Sequence, residues 1–141
     1  MRYVVNIIFI MMLLPLSATA ALFSTAFEVG VHFAAFHDED SGFGWNRNKK
    51  GKGDAFTFVP FHDWHHAIAS IIFSHMGKHT PILSISPNQV PSSVGKYLLN
   101  LNPEMTEPPM PPFMHGFIVG NYRDISFDTQ VALEELLILM A

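Results

Sequence analysis

The sequence predicts a small doubly wound α/β domain with a mainly parallel sheet, in the Rossmann-like or flavodoxin-like manner. Three observations carry that expectation. First, short β-rich runs alternate with helix-period segments three times over from Asp54 to Ala141. Second, the strand runs are apolar and rich in branched residues, as strands covered on both faces tend to be. Third, strands separated by helices need crossover connections, and crossovers join parallel strands. At 141 residues the chain has room for one such domain.

The elements follow in order. "AFTFVPF" (55–61) reads as the first strand. "HDWHHAIASIIFSHMG" places Trp64, Ile68, Ile71, Ile72 and His75 on one face of a helix closed by Gly77. "TPILSIS" (80–86) is the second strand. "VPSSVGKYLLNL" is the second helix, with Pro91 suited to its first turn and Val94, Tyr97, Leu98 and Leu101 on one side. "NPEMTEPPMPP" (102–112) is a proline-rich connector that can be neither helix nor central strand. "HGFIVG" (115–120) is the third strand. "ISFDTQVALEELLILMA" is the third helix, with Ser126 as its N-cap.

Upstream, residues 1–20 have the form of a signal peptide. Arg2 precedes an apolar run from Tyr3 to Leu14, Pro15 breaks it, and Ala18-Thr19-Ala20 supplies the small-x-small cleavage pattern. The competing reading is an uncleaved membrane anchor, since Tyr3 to Phe23 approaches the length of a span. Residues 21–53 form a separate region. Phe27, Val29, Val31 and Phe33 alternate with Glu28, Gly30, His32 and Ala34, the period of a half-buried strand, while a short helix over 21–27 fits equally. The glycine- and lysine-rich stretch 37–54 reads as an exposed loop.

Without residues 1–20 the chain holds seven Lys and Arg against twelve Asp and Glu, a formal charge of −5. A nucleic-acid binder needs a dense basic face, so that class is excluded. Cysteine is absent, so no disulfide staples an exported fold. The thirteen phenylalanines supply the apolar mass for a core instead.

Several pieces taken in order resemble the cell wall-binding repeat type 2 family of secreted and surface-attached proteins. They are Ala67-Ile68-Ala69, Pro81-Ile82-Leu83, Val90-Pro91, Ile118-Val119-Gly120-Asn121 and Ile125-Ser126. In that family an Asp-Ala-Leu-Ala-like helix start leads to a Pro-Ile-Leu-Leu strand. A Leu-Pro helix entry follows, and an Ile-Ile-Gly-Gly strand end precedes a Val-Ser helix start. The match spans Asp54 to Ala141. It departs in three places: one copy instead of several in tandem, His66 where an Asp is usual, and Asn121 where a second Gly is usual. The resemblance implies an exported, envelope-associated module.

Parallel sheets bind ligands outside the carboxyl ends of their strands. The residues expected there are Asp63 and Trp64 after the first strand, Ser84, Ser86 and Asn88 around the second, and Gly120, Asn121, Tyr122 and Arg123 after the third. Trp64 and Tyr122 offer flat faces to sugar rings, and Arg123 offers a partner for an anionic group. Each of these residues has a plainer role available: Asp63, Asn88 and Ser126 as helix caps, Gly120 and Asn121 as a turn, Trp64 as core.

His62, His65 and His66 form a second candidate constellation, three imidazoles within five residues. On a helix His62 and His66 would share a face at i, i+4 and hold Zn²⁺ or Cu²⁺, although a closed site needs about four ligands. No Glu occupies the position that zincin chemistry requires. Neither a G-x-S-x-G elbow nor a phosphate-binding glycine loop is present.

The leading expectation is an exported, non-catalytic module that contacts an envelope polymer or a sister domain. The alternative is a small exported metal-binding protein centred on the three histidines. The terminal run Leu136 to Met140 is apolar all round, which further predicts self-association.

Overall fold

The computed structural model describes residues 16–41, 44, 55–75, 80–101 and 114–138. The lysine-rich loop tip, the proline-rich connector, Gly77 and the side chains of Ile138 to Met140 lie outside these residues, as does the run Tyr3 to Leu14.

The described elements are α1 (Leu16–Ala35), β1 (Ala55–Pro60), α2 (Trp64–Ala69), α3 (Ile71–His75), β2 (Ile82–Ile85), α4 (Ser92–Leu101), β3 (His115–Ile118) and α5 (Phe127–Ile138). The three strands form one parallel sheet in the order β2-β1-β3. The chain steps from β1 to β2, then crosses back over β1 to reach β3. Right-handed crossovers in opposite directions must leave the sheet by opposite faces. The α/β, doubly wound expectation is met.

Register assigns each strand residue to a face. Phe58 pairs with Leu83 and Ile118, Phe56 with Gly116, and Pro60 with Ile85. Partners across a ladder point the same way, so these side chains share one face. That face carries the core: Phe56, Phe58, Leu83 and Ile85 are fully buried with Val94 and Leu98 of α4 and Leu133 of α5. Phe56 also meets Tyr97 of α4 edge-on at 5.9 Å between centroids. Gly116 has a packing reason, because a Cβ there would sit 2.7 Å from Leu137 Cδ1.

The N-terminal segment is a helix, which resolves the choice between strand and helix. Its inward positions run at helical spacing: Phe27 packs on Phe61 at 4.9 Å, Val31 lies against the core and Ala34 is fully buried. Val29 and Phe33, which a strand would have turned inward beside them, are exposed. Alternation over so short a run coincides with the 3.6 period, and packing against β2 and α4 decides between them. The helix is continuous through Ala20 and Ala21. Among the described residues no helix is long and apolar enough to cross a membrane.

The opposite face is thin. Ala55, Thr57 and Val59 point that way with Ile82, Ser84 and Phe117. Thr57 and Thr80 share a buried hydroxyl–hydroxyl bond of 2.6 Å, and Ser74 of α3 donates to the Thr80 carbonyl at 2.6 Å. Phe73 stacks on Phe117 at 5.5 Å. The single helix expected here is instead two, interrupted at Ser70. The Ser70 hydroxyl donates back to the Ala67 carbonyl at 2.7 Å, the competition with the helical ladder that serine side chains set up. The apolar stripe does not meet the core: Trp64, Ile68, Ile71 and Ile72 are all more than half exposed.

Candidate functional site

The carboxyl ends of the strands are tied together by hydrogen bonds that cross between loops. Phe61 N–H donates to the Ile85 carbonyl at 2.9 Å, and Val119 N–H to the Phe58 carbonyl at 2.9 Å. The Pro87 carbonyl accepts from Ser126 N–H at 2.7 Å and from the Thr129 hydroxyl at 3.3 Å. The loops after β1, β2 and β3 therefore form one rim, as the topology requires.

Asp63 organises its first part. It caps α2 from extended backbone (φ −123°, ψ 96°), accepting from His65 N–H at 2.9 Å. The same carboxylate meets both neighbouring imidazoles, Oδ1 to His65 Nδ1 at 2.9 Å and Oδ2 to His66 Nδ1 at 2.8 Å. Hydrogen bonding from His65, reinforced by His66, holds the Asp63 carboxyl down at about 2. His66 also reaches across the rim, its Nε2 lying 3.9 Å from Asp124 Oδ2. One imidazole thus stands between carboxylates from two different loops.

The second part is the turn after β3. Gly120 adopts φ 137°, where a side chain would be strained. A Cβ there would also lie 3.2 Å from Asp124 Cβ. Asp124 accepts from Asn121 N–H at 2.9 Å, and the Asn121 side chain accepts from Arg123 N–H at 2.8 Å. These bonds present Tyr122 and Arg123 outward, with the guanidinium carbon 5.7 Å from the Tyr122 ring centre.

Of the expected rim residues, Asn88 sits exposed in a turn closed by the Ser86–Gln89 bridge. Ser84 does not join the rim. It is a half-buried strand residue paired with Val59, and its side chain lies on the thin face. Trp64 is not core: it is 63% exposed and stacks on the His65 ring at 3.7 Å. Ser126 is the N-cap of α5, accepting from Thr129 N–H at 3.4 Å.

The histidine constellation is rearranged. His62 precedes the Asp63 cap and so lies outside α2, which removes the i, i+4 relation with His66 that a shared metal needed. His65 and His66 turn their Nδ1 atoms onto Asp63. Among the described residues no three His, Cys, Asp or Glu are placed to hold a metal ion. The role of Asp63 as partner to both imidazoles was readable in principle, because Asp followed by His at the second and third helical positions puts both rings within reach of a capping carboxylate.

No protein-family model, curated protein or solved structure matches the chain.

Proposed function

We propose that the protein is an exported, non-catalytic binding module whose strand-end rim contacts a hydroxyl-rich envelope polymer. The observation that carries this reading is the pair of rim aromatics, Trp64 and Tyr122, 63% and 65% exposed. Each is backed by a charged or titratable neighbour, His65 and Arg123. A large ring left in water forfeits the burial that normally places it inside, and a flat apolar partner such as a sugar face restores it. The surrounding Asp63, Asn88, Asp124 and Arg123 supply acceptors and donors for hydroxyl groups. The resemblance to the cell wall-binding repeat type 2 family and the signal-like residues 1–20 support the envelope as the setting. Recognition by a sister domain of related sequence would use the same rim.

The test is co-sedimentation of purified protein with isolated cell envelope at low and high salt. Retention that falls at least tenfold in both Trp64→Ala and Tyr122→Ala, with unchanged circular dichroism, is the expected result. Loss of binding at high salt identifies an anionic polymer, and salt-insensitive binding a neutral glycan. A wild-type protein that stays wholly in the supernatant under both conditions overturns the reading.

A further inference from the structure

His66 stands where a single proton changes the sign of a contact between two loops. Its Nδ1 lies 2.8 Å from Asp63 Oδ2, and His65 Nδ1 lies 2.9 Å from Oδ1 of the same carboxyl. Asp63 is ionised at neutral pH and can only accept, so both of these nitrogens carry a hydrogen. That fixes the tautomer of a neutral His66, whose Nε2 is then a bare lone pair. The lone pair lies 3.9 Å from Asp124 Oδ2, an acceptor on the turn after β3. Two acceptors cannot bond, and the gap is about 1 Å longer than a charge-assisted N–H···O contact.

The surroundings single out this ring. His65 shares Asp63, but its side chain is 71% exposed and its ring is stacked on Trp64. The side chains of His66 and Asp124 are 28% and 20% exposed, so a charge pair between them is less screened by water. Among the described residues the charged groups facing His66 are Asp63 from the α2 cap and Asp124 from the turn, with His62 and His65 as the neighbouring imidazoles. β1, against which α2 packs, and the loop 86–90 hold no titratable side chain, and α3 holds only His75, at its last position. The Arg123 guanidinium lies by the Tyr122 ring. We infer that His66 is a proton-driven clasp: protonation at Nε2 makes it a donor to Asp124 and draws the turn after β3 onto the start of α2. Asp124 holds Asn121 N–H, and Asn121 in turn holds Arg123 N–H, so the turn moves as a unit and carries Tyr122 and Arg123 relative to Trp64. The closed arrangement favours the protonated ring, so the clasp closes as pH falls and opens as pH rises. It belongs to the fold and is read in the free protein, whatever the rim binds.

The test is an NMR titration of the purified protein from about pH 8 to 5, the range in which imidazoles take up protons. The backbone amides of Asn121 to Asp124 should shift with the midpoint of the His66 ring resonances. The nuclear Overhauser contact between the His66 ring and the Asp124 methylene should strengthen at the acid end. Asp124→Asn keeps an acceptor for Asn121 N–H and removes the charge; its His66 ring should still titrate while the turn amides lose that shift. His66→Gln should lose the shift as well, with His65 still titrating. A wild-type turn that stays still while the His66 ring titrates, or that follows the His65 midpoint, overturns the inference. So does a His66 ring that takes no proton across the range, or one whose contact with Asp124 does not change. Should Asp124→Asn fail to fold, the Gln variant decides alone, and a turn shift that persists there also overturns it.

Discussion

The two faces of the sheet are built from alternate residues of the same strands, yet they do different work. One face of β1 presents Phe56 and Phe58 to α1, α4 and α5, and Phe56, Phe58, Leu83 and Ile85 are fully buried there. The other presents Ala55, Thr57 and Val59 to two short helices. There the contacts include the Thr57–Thr80 hydroxyl pair and the Ser74 hydroxyl donating to the Thr80 carbonyl, and the helices turn Ile68, Ile71 and Ile72 outward. Small and hydroxylated side chains bring α2 and α3 close to the sheet, but they give those helices little apolar surface to dock on. Stability therefore concentrates on the thick face. The thin face is left to hold the start of α2, with Trp64 and the Asp63–histidine cluster, against the rim.

Substitutions that separate the faces sharpen this contrast. The largest effect is expected from Phe58→Ala, which empties a fully buried ring position beneath α5. A loss of about 3–5 kcal/mol by urea unfolding follows from cavity formation. A loss below 1 kcal/mol would mean that the thick face is not the principal core.

The next effect has the opposite sign and the same location. Among the described residues the buried Tyr97 hydroxyl has no hydrogen-bond partner, and burial raises its pKa to about 12. Tyr97→Phe removes the unpaired group while keeping the edge-on contact with Phe56. Stability should rise by about 1–2 kcal/mol. The folded-state pKa lies above the ordinary 10.0. The wild type therefore has the benefit of its neutral phenol below pH 10 and loses it as pH climbs toward 12, while the Phe variant shows no such decline from this position.

The thick face was legible in the sequence because its elements obey simple periods. Val94, Leu98 and Leu101 are buried on α4 as their spacing indicates, Tyr97 packs beside them, and Ser126 caps α5. The thin face was not. The Trp64–Ile72 stripe has an apolar period, but a period reports only that one side of a helix is apolar, not that anything covers it. Whether cover exists depends on Thr57 of β1 and Ser84 of β2, residues of two strands elsewhere in the chain. The Ser70 interruption likewise came from a side-chain bond that no residue pattern announces. At the rim, the meeting of three loops followed from topology, and Ser84 failed because strand alternation turned it onto a face instead of the end. The link from His66 to Asp124 joins residues 58 positions apart in sequence and needed coordinates.

Asp63 connects the thin face to the rim, and its effect is read in how stability depends on pH. Its carboxyl is held near 2 by His65 and His66, below the ordinary 3.8. The stabilisation is thus fully present above about pH 4 and lost as pH falls through 2. Asp63→Asn keeps a good capping side chain but removes the titration. The acid limb of the stability profile between pH 4 and 2 should flatten in the variant, which is less stable than the wild type at pH 7 by what the charged carboxylate contributes and converges with it as pH falls through 2. An unaltered acid limb would show that the carboxylate–imidazole contacts do not persist in solution.

The smallest effect is the most diagnostic for the two-face contrast. Ile71 and Ile72 are 54% and 55% exposed, so each has little burial to lose. Ile71→Ser or Ile72→Ser should alter stability by no more than about 0.5 kcal/mol, an order of magnitude less than Phe58→Ala, although all three remove a large apolar side chain. If either serine variant instead costs 2 kcal/mol or more, α3 is covered in solution by something beyond the described residues. A cost that appears only above the concentration at which the chain associates would place that cover on a neighbouring molecule. A cost independent of concentration would place it within the chain.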